Sequence, residues 1–142
     1  KGEQAIEEWM KLNAVAYNDI KGSDLIEAFG GLIGDADKRA LTPEVAEQMA
    51  VGMRHSGSVS FYGWVDDDLA FVQPFGFEQE KINKPVVLWQ GNDDFMVPQA
   101  HSEWLHKHIP TSTLNFVPGH GHISLIEKYR ENIIEMALGY LN

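Results

Sequence analysis

The chain contains no cysteine, which excludes a disulfide framework, a thiol nucleophile and a cysteine-ligated zinc. It is also short of cations. Eleven Lys and Arg stand against 21 Asp and Glu, for a formal charge of -10. A binder of phosphate backbones needs clustered Lys and Arg, so nucleic acid is not an expected partner. No apolar run approaches the roughly 20 residues of a membrane span. The chain opens Lys1-Gly2-Glu3-Gln4, with neither the apolar core of a signal peptide nor an initiating methionine, which suggests processing or a fragment; the lack of cysteine fits a reducing compartment, and a cytoplasmic setting is the expectation. What is present is enough apolar material to build a core. At 44% apolar and 11% aromatic, the 142 residues suit one domain, or a small domain with part of another.

The first eighty residues carry helical periodicity and no strand pattern. Ile6, Trp9, Met10, Ala16 and Tyr17 mark one helix between Glu3 and Asp19. Lys21-Gly22 ends it, and Ser23 can cap a second helix to Phe29 before Gly30, Gly31 and Gly34 loosen the chain. Thr42-Pro43 reads as N-cap and first residue of a third, running to about Met53 with Val45, Ala46, Met49, Ala50 and Met53 on one face. A fourth short helix takes in Trp64, Val65, Leu69, Phe71 and Val72, ended by Pro74. Asp66-Asp67-Asp68 is expected in its first turn, where the helix dipole favours carboxylates. Consecutive carboxylates diverge on a helix, so a metal cluster is not expected there.

From Lys84 the pattern becomes β-α-β-α. Pro85 leads into the apolar run Val86–Trp89, which suits a strand buried on both faces. A helix follows from about Pro98 to His108, with Ala100, Trp104, Leu105 and His108 on one side, and Pro110 closes it. A second strand, Leu114–Val117, ends in Pro118-Gly119-His120-Gly121-His122. Ser124 and Glu127 have the spacing of a capping box, opening a last helix to about Tyr140. Two strands joined by a helix should run parallel. Both faces and edges of such a pair need partners, so the sheet is expected to continue elsewhere.

Each strand is followed by residues that can do chemistry. Open α/β folds keep their sites beyond the carboxyl ends of the strands. The first strand leads to Asp93 and Asp94, the second to His120 and His122. An imidazole that takes a proton needs an acid to fix its tautomer and stabilise the cation. Asp94 and His122 could meet in this way if their strands lie side by side. On spacing alone, Asp93 and His120 compete with them. His101, His106 and His108 ride a helix; residues 106 and 108 point to different faces, which argues against a zinc pair.

The pattern Gly91-x-x-Asp94-x-x-Val97-Pro98, followed by Pro118-Gly119-x-Gly121-His122, resembles the acid and histidine segments of the α/β-hydrolase family. The family's chain order is nucleophile, acid, histidine. The resemblance favours Asp94 over Asp93 and His122 over His120. It implies an α/β fold, with residues 83–142 as the C-terminal part of the hydrolase core and residues 1–82 as a mostly helical cap. It further implies hydrolysis of an ester, amide or related bond without a cofactor. The expected substrate is a small molecule with an apolar portion, for which Trp64, Phe71, Phe75 and Phe77 are candidate pocket residues; core packing explains these aromatics equally well. The family's Gly-x-Ser-x-Gly elbow is missing from this sequence, as are its oxyanion-hole segment and earlier strands. The expectation is therefore a C-terminal fragment, inactive alone, whose nucleophile lies in an N-terminal half or another chain that completes the sheet. The rival readings are a non-catalytic binding or interaction protein of the same fold, and a haloalkane dehalogenase or epoxide hydrolase with an aspartate nucleophile.

Overall fold

In the computed structural model, which describes residues 2–140, the helices begin and end close to the glycines and prolines noted above. The described residues form seven α-helices and two β-strands, and the chain separates into two compact units.

Residues 2–28 and 43–77 make up the first unit. Helix α1 (Glu3–Asn18) buries Met10, with Ile6 and Tyr17 partly covered, and leaves Trp9 exposed. Leu25, at the start of α2 (Leu25–Phe29), is fully buried. Helix α4 (Pro43–Gly57) turns the expected face inward: Ala46 and Ala50 are buried, and Val45, Met49 and Met53 are half-buried. Helix α5 (Tyr62–Phe71) buries Val65 and sets Trp64 edge-on against Tyr17, with ring centroids 4.6 Å apart. The Ser60 hydroxyl accepts the Tyr62 N–H, so the helix begins early enough to put Asp66–Asp68 in its middle rather than in its first turn. The turn before α2 is tied down by α4. Arg54 reaches the Ile20 carbonyl at 2.5 Å and the Glu47 carboxylate at 2.7 Å, and Glu47 also accepts the Gly22 N–H at 3.0 Å.

Residues 29–42 and 78–140 make up the second unit. Strands β1 (Val86–Gly91) and β2 (Ser112–Val117) pair in parallel, from Val86 opposite Ser112 to Gly91 opposite Val117. Helix α6 (Gln99–His108) joins them and packs on both, and α7 (His122–Gly139) packs on β1. Ile109, Val117, Ile123 and Leu125 form the core here, with Ile33, Ala36 and Leu41 from the earlier segment.

Four local expectations are corrected. Val86–Trp89 is only partly buried, and full burial is reached at Gln90 and Gly91; among the described residues β1 has a strand on one edge only. Of the expected face of α6, Leu105 and His108 are half-buried while Ala100 and Trp104 stay exposed, and the helix buries Ser102 instead. Helix α7 begins three residues early, with Gly121 at its N-cap, so Ser124 is its third residue. The glycine-rich stretch after α2 is not loose: it forms a 3-10 turn (Gly30–Leu32) and then α3 (Asp35–Ala40). That segment also departs from the division at residue 82. Residues 29–42 belong with the strands, because Ile33, Ala36 and Leu41 are buried there and Asp37 bonds to the start of α7.

Candidate functional site

The register of the two strands decides where the chemistry falls. Gly91 and Val117 are partners at the carboxyl ends, so the two exit loops start level with one another. They then zip together. Asn92 N–H donates to the Val117 carbonyl at 3.3 Å, and Asp93 N–H to the His120 carbonyl at 3.0 Å. The Asn92 side-chain oxygen accepts the Gly119 N–H at 2.7 Å. Two glycines make this approach possible. A β-carbon on Gly91 would overlap the His120 carbonyl, and Gly119 has φ +72°, a left-handed conformation that side chains disfavour.

The zipped loops deliver Asp94 and His122 to each other. Asp94 Oδ2 lies 3.0 Å from His122 Nδ1. Its other oxygen, Oδ1, accepts the N–H groups of Met96 at 2.9 Å and Val97 at 2.8 Å. The carboxylate is thus aimed by its own turn, an Asx arrangement, and its 8% exposure is offset by three hydrogen bonds. An ionised carboxylate only accepts, so Nδ1 carries the proton in this contact and Nε2 is left as the basic nitrogen. The imidazole is 47% exposed and lines a cleft of about 210 Å³. Trp89, Val97, Leu125 and Ile126 supply its apolar wall, and Gln90 and Asp94 its polar side. The Gln90 amide bonds to the carbonyls of Gly91 and Val97, which holds the two ends of the acid loop together.

The competing residues point elsewhere. Asp93 contributes its backbone N–H to the loop contact. The His120 ring bonds the Pro118 carbonyl at 3.0 Å and packs edge-on against Tyr129. His106 bonds the Ser112 hydroxyl, while His108 bonds the Trp104 carbonyl and stacks on its indole. Trp64, Phe71, Phe75 and Phe77 all lie in the first unit. Trp64 packs on Tyr17, Phe75 on Phe77 at 5.7 Å, and Phe71 is 84% exposed.

No protein-family model, curated protein or solved structure matches this chain.

One residue of the site's geometry is absent from the sequence reading. Asp37, in α3, is completely buried. Its Oδ2 accepts the His122 N–H at 3.0 Å. Its Oδ1 accepts the N–H of Ile123 at 3.1 Å, the N–H of Ser124 at 2.9 Å and the Ser124 hydroxyl at 2.7 Å. A buried carboxylate is tolerable when its lone pairs are filled in this way, and the positive end of a helix adds to the effect. The only signal in the sequence is an aspartate on a short helical turn, and nothing in its neighbours ties it to residues 85 to 87 positions away.

Proposed function

We propose that the second unit supplies the acid and histidine of a hydrolase site of the α/β-hydrolase type, with the nucleophile and oxyanion hole contributed from outside this chain. The reading rests on one observation: the 3.0 Å contact of His122 Nδ1 with an Asp94 carboxylate whose other oxygen is already held by two backbone N–H groups. Parallel strands, with the acid after one and the histidine after the next, agree with it. In this role Nε2 of His122 takes the proton of the attacking hydroxyl and later gives it to the leaving group. Asp94 keeps the ring in the tautomer that leaves Nε2 free and stabilises the imidazolium. The bond cleaved is an ester, amide or related acyl bond. The apolar wall of Trp89, Val97, Leu125 and Ile126 favours a substrate with an apolar portion near the reacting centre.

A fluorophosphonate probe tests this directly on the longer protein or assembly that contains the nucleophile. Labelling that is fast with the native sequence and slowed by orders of magnitude in His122→Ala supports the reading. Labelling indifferent to His122 would falsify it. Probe-resistant turnover of a haloalkane or epoxide would instead point to an aspartate nucleophile.

A further inference from the structure

A helix is ordinarily capped by the side chain of its own N-cap residue, which accepts one or two of the first-turn N–H groups. Helix α7 has Gly121 at that position, which offers no side chain. A β-carbon there would run into the Asp37 carboxylate. The cap is supplied from α3, where one carboxylate takes the N–H groups of the first three residues of α7 and the Ser124 hydroxyl as well. The first of those residues is His122.

The same short segment also grips the other member of the pair. Ile33, four residues before Asp37, is buried and forms an isolated antiparallel bridge with Asp94. Gly34, next to it, lies against the Phe95 ring and the Asp93 carbonyl, with little room for a β-carbon. Residues 33–37 therefore hold the backbones of Asp94 and His122 from one side, while the two side chains meet in the cleft.

We propose that Asp37 is a positioning residue for the Asp94–His122 pair, and that residues 33–37 are the brace that sets the distance between its members. The proposal rests on the reading of that pair as acid and base given above. Asp37 does not touch the imidazole. It acts through the backbone, by fixing the first turn of the helix from which the ring projects. The loop leading into that turn has Gly119 in a left-handed conformation and Gly121 in an extended one, and it offers little stiffness of its own. Without the carboxylate the first turn frays. A movement of about 1 Å is enough to stretch a hydrogen bond out of range, and misplacement on that scale is costly in catalysis.

The test uses NMR on the chain itself and reads the His122 Nδ1 proton. In the native sequence that proton gives a hydrogen-bonded signal, and Asp94→Ala, which removes its acceptor, identifies it by its loss. Asp37→Asn keeps the shape but turns a donor toward backbone N–H groups. The expected result is a His122 Nδ1 proton that exchanges with solvent at least about tenfold faster, as expected when roughly one buried hydrogen bond is lost. The methyl signals of Val86 and Ile109, at the opposite end of the strands from the helix start, stay in place. If Asp37→Asn does not fold, Ser124→Ala carries the test: it removes one bond to the same carboxylate and also the acceptor of the Gly121 N–H, and faster exchange is again expected. An unchanged Nδ1 signal in whichever of these variants folds overturns the positioning role while leaving the pair intact. A native protein in which Asp94→Ala removes no His122 signal overturns the pair, and the brace with it.

Discussion

Gly121 and Asp37 are 84 positions apart in the chain, yet a β-carbon on Gly121 would overlap the Asp37 carboxylate. Its φ of -105° is open to any residue, so the constraint at Gly121 is space and not backbone conformation. Gly91 is held by the same kind of constraint, against the His120 carbonyl. These two contacts join the acid loop, the histidine loop and α3 into one construction.

Alanine at either glycine is the first prediction. Each β-carbon meets backbone or a fixed carboxylate rather than a yielding side chain, and overpacking of this kind costs about 1–3 kcal/mol. Gly121→Ala and Gly91→Ala should lower the urea midpoint of the second unit. Gly139→Ala, with nothing within 4 Å of the added carbon, should not lower it. Equal midpoints for all three variants would show that the close approaches are not there.

Removing the Asp37 carboxylate altogether leaves three N–H groups at the start of α7 without their acceptor. A buried unsatisfied donor costs roughly 1–3 kcal/mol. Asp37→Ala is therefore expected to be among the most destabilising single changes in the second unit, about 3 kcal/mol or more. Amide exchange of residues 122–124 should report it first. Protection at those amides equal to that of the native chain would contradict the capping geometry.

For the proposed hydrolase role, the expectation is set by what each group does. In the longer protein or assembly holding the nucleophile, His122→Ala removes the base and should abolish measurable turnover of a p-nitrophenyl ester. Asp94→Asn keeps the shape but loses the charge and the tautomer control, and should lower kcat by about 10²–10⁴. The 142-residue chain alone should show no turnover above free imidazole. Activity of the isolated chain that survives His122→Ala would place any chemistry elsewhere.

Acid should loosen the first unit through Glu47. The Arg54 guanidinium, and then the Gly22 N–H, hold its carboxyl below the ordinary glutamate range. A carboxylate depressed in the folded state contributes stability that is present above its unfolded value and is lost as pH falls through the folded one. Glu47→Gln should accordingly flatten the decline of the unfolding midpoint as pH falls below the ordinary glutamate range. Parallel pH profiles for the native and variant chains would refute the coupling. The pair is exposed, so salt should weaken the effect.

The Asp94–His122 pair is legible because it depends on local patterns repeated twice: a strand-forming run, a glycine break, then a carboxylate or an imidazole. Spacing alone did not separate Asp94 from Asp93 or His122 from His120. The separation comes from the direction of each side chain, which the Asx turn at Met96 and Val97 sets for the acid and the first turn of α7 sets for the histidine. Helix α3 is not legible in the sequence, because its six residues carry too short a period to stand out among glycines. The inward face of α6 differs in part from the expected one: Trp104 stays exposed and stacks on His108, and Ser102 is buried in its stead.

By itself, the sequence determined what short-range chemistry can determine. It set the helices of the first unit, the two strands with their crossover helix, and the acid and histidine just past the strand ends. Each of these follows from side-chain periodicity or from a glycine or proline within a few residues. Only the tertiary structure decided that residues 29–42 belong with the strands, that Ile33 bridges Asp94, and that Asp37 caps the helix bearing His122. A buried carboxylate finds its hydrogen-bond donors through space, and in this chain the donors lie 85 to 87 residues further on.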